Sequence, residues 1–200
     1  MGEYRVESSR LAHRGAFLRV RVDEVRMPDG AVKRREIVET APAVAIVALD
    51  EDGWVTLLRQ YRHPLRRRMM ELPAGKLDID GEEPLAAAQR ELAEEAGLAA
   101  QQWDLLTTFQ NSGGWTDEYT LVYLATGIRQ VAPPDGFEAE AEESEIETLR
   151  MPLADAVRLV QTSEITDAKT VIGLLLGLLF NPREGYCAGM SDQTGHDVER

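Results

Sequence analysis

The chain has 200 residues, is 44% apolar and carries a formal net charge of −13, enough apolar material for one buried core with a small appendage. Its acidity argues against a general affinity for nucleic acid, where phosphate neutralisation dominates binding. The longest apolar run, Val171 to Phe180, is about half of the ~20 residues of a membrane helix, so no membrane partner is expected.

Glu3, Arg5, Glu7 and Arg10 interrupt any apolar region at the amino terminus, which excludes a secretory pattern and makes a cytoplasmic location the expectation. From Phe17 to Val25, Leu18, Val20 and Val22 alternate with charged residues, the period of a half-buried strand. Pro28-Asp29-Gly30 makes a turn and Ala31 to Glu39 returns, giving an amino-terminal hairpin or small sheet. Ala43 to Leu49 is apolar on both faces and reads as a central strand, with Trp54 to Gln60 as its partner. Arg59, Arg62, Arg66, Arg67 and Arg68 follow closely. Such runs are usually solvated, but arginine matches phosphate oxygens bidentately.

Glu71 to Leu98 is the stretch that demands a chemical explanation. Leu72-Pro73-Ala74-Gly75 reads as an apolar turn, and a loop rich in Asp and Gly leads to a helix from about Pro84. Proline suits a first helical position, Glu82 and Glu83 suit the positive end of the dipole, and Gly97 supplies a left-handed stop. Glu91, Glu94 and Glu95 then share one helix face. Like charges about 4 Å apart cost on the order of 4 kcal/mol at an effective dielectric near 20. A hard divalent cation is the natural remedy, since Mg²⁺ takes oxygen ligands and bridges carboxylates to phosphates. An ordinary solvated face is the competing reading.

Trp103 to Phe109 and Tyr119 to Thr126 read as strands joined by a polar, glycine-rich loop. Gln130 to Glu143 is an acidic loop, which beside a carboxylate helix offers a candidate general base. Glu145 to Arg150 reads as a strand, Leu153 to Val160 as an amphipathic helix and Lys169 to Phe180 as a helix too apolar for the surface. Asn181 to Arg200 lacks periodicity and reads as a frayed tail. Its Cys187 is the single cysteine, and His13, His63 and His196 have no metal spacing, so zinc held by several thiolates is excluded.

Gly75, Glu82, Arg90-Glu91-Leu92, Glu94-Glu95 and Gly97-Leu98 together resemble the Nudix box, the signature of hydrolases of nucleoside diphosphates linked to another moiety. From Glu82 onward the family spacing is kept, while six residues rather than five separate Gly75 from Glu82. REIVE at Arg35 to Glu39, QYRHP at Gln60 to Pro64, RRRMMELPAGKLD at Arg66 to Asp78, DEYTLVYLATG at Asp117 to Gly127 and ITDAKT at Ile165 to Thr170 extend the likeness to the ADP-ribose pyrophosphatase branch. Gly113 and Met70 depart from that branch, which often has Pro and Trp there.

The resemblance implies an α/β fold, a Nudix-type α/β/α sandwich around a mixed sheet with a small amino-terminal β domain. Residues 1–40 would form that domain at a homodimer interface, 41–180 the hydrolase domain and 181–200 a flexible tail. It implies Mg²⁺, with Mn²⁺ as the alternative, held by Glu91, Glu94, Glu95 and the Ala74 carbonyl. Arg90 would position the carboxylates, Glu82 would support the metal waters, and Glu142 or Glu143 would be the base. Arg35, Glu36 and Arg62 would bind substrate, with Glu118 near the terminal sugar. The implied reaction converts ADP-ribose to AMP and ribose 5-phosphate. The alternatives are another nucleotide sugar, a dinucleoside polyphosphate, or a non-hydrolytic ADP-ribose sensor.

Overall fold

Side-chain alternation along two adjacent strands sets the layers. In the computed structural model, which describes residues 3–132, 134 and 145–180, β4 (Ala43–Ala48) runs parallel to β10 (Tyr119–Thr126). Val44, Ile46 and Ala48 point to one side with Tyr123 and Ala125, packing on Ala87, Ala88 and Leu92 of α1 (Pro84–Ala96). Val47, Val122 and Leu124 point to the other, where Leu153 of α2 (Leu153–Gln161) and Leu174 of α3 (Ala168–Leu179) complete a second core. A strand apolar on both faces therefore sits between two helical layers. This is the expected α/β/α sandwich around a mixed sheet, since β7 (Ala74–Lys76) and β9 (Gln102–Gln110) flank the pair antiparallel in the order β7-β4-β10-β9.

A second antiparallel sheet joins β12 (Glu147–Pro152), β5 (Trp54–Arg62) and β6 (Arg67–Glu71). Two-residue strands β8 (Leu98–Ala99) and β11 (Arg129–Gln130) pair beyond the end of α1. The amino-terminal region forms a three-stranded antiparallel sheet of β1 (Arg5–Arg14), β2 (Leu18–Arg26) and β3 (Val32–Thr40). Strand β1 is absent from the sequence reading because all ten of its residues are exposed and no apolar alternation marks them.

Several local expectations are corrected. Ala74 and Gly75, read as part of a turn, pair with Ala45 and Val44 in a strand, and the basic stretch Arg67–Arg68 opens β6. The polar, glycine-rich loop after β9 is tied to β3. The Val38 amide donates to the Trp115 carbonyl at 2.8 Å and Thr116 is buried. Helix α3 is half-surface, with Leu174 buried but Leu175 and Leu179 exposed. Gly173 lets that helix lie on the sheet, as a Cβ there would come within 2.5 Å of Leu72. The tail expected at 181–200 lies outside the described residues.

Candidate active site

Helix α1 begins at Pro84 after the extended Glu83, and its end is fixed by Gly97, whose φ of 64° belongs to the left-handed region that glycine adopts without penalty. Its buried side is Ala87, Ala88 and Leu92, so the carboxylates fall on the flank that meets β7. Glu95 accepts a hydrogen bond from the Ala74 amide at 2.8 Å. Glu91 lies directly on Gly75, where a Cβ would come within 1.9 Å of the carboxylate. Only a residue without a side chain permits that approach.

Arg90 organises the rest. Its Nε and Nη2 donate to the two oxygens of Glu82, each at 3.0 Å. Its Nη1 donates to Glu91 at 2.8 Å and to Glu94 at 2.9 Å. These bonds hold the Glu82 carboxyl below its usual range and raise the guanidinium above its own. Burial pushes the Glu91 carboxyl up, against the pull of Arg90. A buried carboxylate that resists its charge is one that a cation stabilises.

Among the described residues, no group of three or more His, Cys, Asp or Glu converges tightly enough to hold an ion. The reason is visible in the bonds just given, because Arg90 occupies oxygens of Glu91 and Glu94 while the Ala74 amide occupies one of Glu95. The donor set still fits a hard divalent ion. It consists of carboxylates beside a main-chain turn into a strand, with neither thiolate nor imidazole.

Other sequence candidates are placed unequally. Glu118 reaches the site through Lys76, which pairs with it and donates to the Ala41 carbonyl at 3.0 Å, one residue beyond Gly75. A cleft of about 760 Å³ opens there, between the turn joining β1 to β2 and the strand end carrying Lys76 and Asp78. Arg62 forks onto Glu71 at 2.8 and 2.7 Å. Arg35 and Glu36 lie exposed on β3, where Arg35 donates to the Arg34 carbonyl, and their described bonds do not reach α1. The arginine run is dispersed, Arg67 going to Thr166 and Arg68 to Glu145. Glu142 and Glu143 lie outside the described residues.

Sequence reading missed a second buried charge cluster. Glu71 is 1% exposed and receives Lys169 as well as Arg62, at 2.7 Å from its Nζ. Lys169 also donates to Asp167, which caps α3 by accepting from the Thr170 amide at 3.0 Å. Burial alone would raise the Glu71 carboxyl, but the Arg62 hydrogen bonds and the Lys169 charge outweigh it and hold it at about 2. The signal was present in ELPAGK and ITDAKT, yet spacing alone does not pair residues 98 apart.

A model described as the NUDIX domain matches residues 39–172 of this chain. The chain belongs to the Nudix family. A second model, the nucleoside diphosphate sugar hydrolase N-terminal domain, matches residues 4–38. An ADP-ribose pyrophosphatase of Mycobacterium tuberculosis is 44% identical over 86% of this chain and 82% of its own length. One of Bacillus subtilis is 37% identical over 80% and 84%. Among solved structures, an ADP compounds hydrolase superposes with a TM-score of 0.79 at 21% identity, over 94% of this chain and 98% of that one, which places the Nudix fold. This Nudix hydrolase carries the carboxylates of α1 on the fold just described, and divalent ions are the general requirement of Nudix chemistry.

Proposed function

We propose that this Nudix hydrolase cleaves the diphosphate of ADP-ribose to AMP and ribose 5-phosphate with Mg²⁺ as its ion. The observation that carries the reading is the carboxylate face of α1 closed onto Ala74 and Gly75, in a chain 44% identical to a protein named as an ADP-ribose pyrophosphatase. Glu91, Glu94, Glu95 and the Ala74 carbonyl would hold the ion, and Mn²⁺ would suit the same oxygens. When bound, the ion neutralises phosphate charge and lowers the pKa of a coordinated water.

The remaining work falls to the chain. Arg90 ties Glu82, Glu91 and Glu94 together at one place before substrate arrives. Arg62, a half-buried side chain forked onto Glu71, binds the diphosphate. Glu118, tethered by Lys76, faces the terminal sugar. Glu142 or Glu143 takes the proton as a water oxygen bonds to phosphorus and the bridging P–O bond breaks.

Arg35 and Glu36 act on substrate across a homodimer in which residues 1–40 form the interface and 41–180 the hydrolase domain. Support comes from the exposure of Val6 and Leu11 on β1, of Tyr4 just before it and of Phe17 in the turn to β2, apolar surface of the kind that a second copy covers. Light scattering at micromolar concentration should return twice the chain mass. No helix among the described residues is long and apolar enough to cross a membrane.

The deciding experiment is turnover of ADP-ribose beside UDP-glucose, GDP-mannose and diadenosine polyphosphates, with Mg²⁺ and with chelator. Metal-dependent turnover led by ADP-ribose is the expected result. Another nucleotide sugar in the lead would keep the chemistry and overturn the substrate. Binding of ADP-ribose without turnover would make the chain a sensor.

A further inference from the structure

We propose that Lys169 is a positioning residue for substrate diphosphate, acting through Glu71 on the guanidinium of Arg62; the inference rests on the function proposed above. Arg62 has five N–H donors. Its Nε and Nη2 are committed to Glu71, while 40% of its side chain stays exposed beside a cleft of about 310 Å³. Glu71 stands three residues before Ala74, whose amide donates to Glu95, so the Arg62–Glu71 pair adjoins the strand that meets the carboxylate helix.

A guanidinium paired with one carboxylate is nearly neutral to an approaching anion. Here the pair is not left alone. Lys169 donates to the same Glu71 oxygen that accepts from Arg62 Nη2, each at 2.7 Å, so one carboxylate is divided between two cations. Asp167 then holds the ammonium at 2.9 Å. Two cations and two anions balance, and Glu71 no longer spends its whole charge on Arg62.

Helix α3 sets this arrangement. Asp167 is its cap, Thr170 accepts from the Leu72 amide at 2.9 Å while donating to Asp167 at 2.7 Å, and Gly173 lies against Leu72. The helix therefore fixes both the ammonium and the backbone running from Glu71 to Ala74. Removing only the ammonium shifts the local sum to one negative charge and returns the whole of Glu71 to Arg62. Anion binding weakens while the reacting groups stay in place.

The test measures ADP binding by calorimetry, and KM and kcat for ADP-ribose, on the full chain with Mg²⁺. Lys169→Met should raise the Kd for ADP and the KM about tenfold with kcat changed less than about threefold, and Lys169→Arg should recover both to within about threefold. Asp167→Asn keeps a good cap but adds one net positive charge. It should tighten ADP binding by about threefold, a change of sign that loss of structure does not produce. It also decides the matter if Lys169→Met does not fold. ADP affinity unchanged in Lys169→Met, or weakened in Asp167→Asn, overturns the inference while native turnover keeps the function. A native chain that neither binds ADP nor hydrolyses ADP-ribose overturns both.

Discussion

Two arginine–carboxylate clusters stand near one another in this molecule and are built on opposite principles. Around Arg90, one guanidinium is shared by Glu91 and Glu94 on α1 and by Glu82 just before it, with Glu95 one turn on and bonded to the Ala74 amide, so carboxylates outnumber the cation that ties them. Around Glu71, Arg62 and Lys169 meet Glu71 and Asp167, and the charges balance. The first cluster stores repulsion that a cation relieves; the second is a satisfied clip whose loss leaves buried charge unpaired. Removing a carboxylate should thus have opposite consequences in the two places.

The largest effect belongs to the unbalanced cluster. Glu95→Gln should lower kcat roughly 10³-fold, since several kcal/mol of transition-state stabilisation depend on the ion. Its melting temperature without metal should stay close to that of the native chain, because an amide oxygen at this position can still accept from the Ala74 N–H. Turnover with Mg²⁺ and thermal melts with chelator check the two halves, and a large loss of stability would contradict the charge argument. Gly75→Ala comes next. The new methyl would meet Glu91 at 1.9 Å, so the carboxylate must move, and turnover should fall about 100-fold as reacting geometry is displaced. Activity within threefold of native would show that the close approach is dispensable.

The balanced cluster should answer in stability. Glu71 is held at about 2 against an ordinary 4.5, and a shift of that size corresponds to about 3 kcal/mol. The folded-state value is the lower one, so this contribution is complete above about pH 4.5 and is lost as pH falls from there towards 2. Glu71→Gln should therefore unfold about 3 kcal/mol more easily at pH 7, with the difference closing as the medium is acidified. Denaturant titrations at pH 7, 4 and 3 measure it, and a pH-independent difference would mean that packing rather than charge holds Glu71.

The unbalanced cluster was legible in the sequence because its members lie within one helix, where a period of 3.6 places Glu91, Glu94 and Glu95 together. The same locality made β4, β10 and α1 legible through apolar runs, proline at the first turn and glycine at the stop. The balanced cluster was not, as Glu71 and Lys169 are joined only when α3 folds across the sheet. Strand β1 escaped for a different reason, its stability resting on backbone pairing with β2 and on no buried side chain. Strand β7 escaped because a three-residue strand beginning next to Pro73 carries turn residues and too few alternations to register.

A third cluster gives the smallest effect and a control on the comparison. Arg150 on β12 pairs with Asp50 and lies 5.0 Å over the Trp54 ring, tying the turn after β4 to the edge of the neighbouring sheet. Backbone and arginine hydrogen bonds hold the Asp50 carboxyl below its usual range despite partial burial. The arginine is 54% exposed, however, so water and salt screen the pair. Exposed pairs and exposed cation–π contacts are each worth under about 1 kcal/mol. Arg150→Met keeps much of the apolar stem over Trp54, so it should cost less than about 1 kcal/mol in denaturant titration and leave kcat and KM for ADP-ribose unchanged. A loss of turnover from this position would extend the functional charge network beyond the two clusters, and a loss of 3 kcal/mol would mean that burial does not separate structural from incidental ion pairs in this fold.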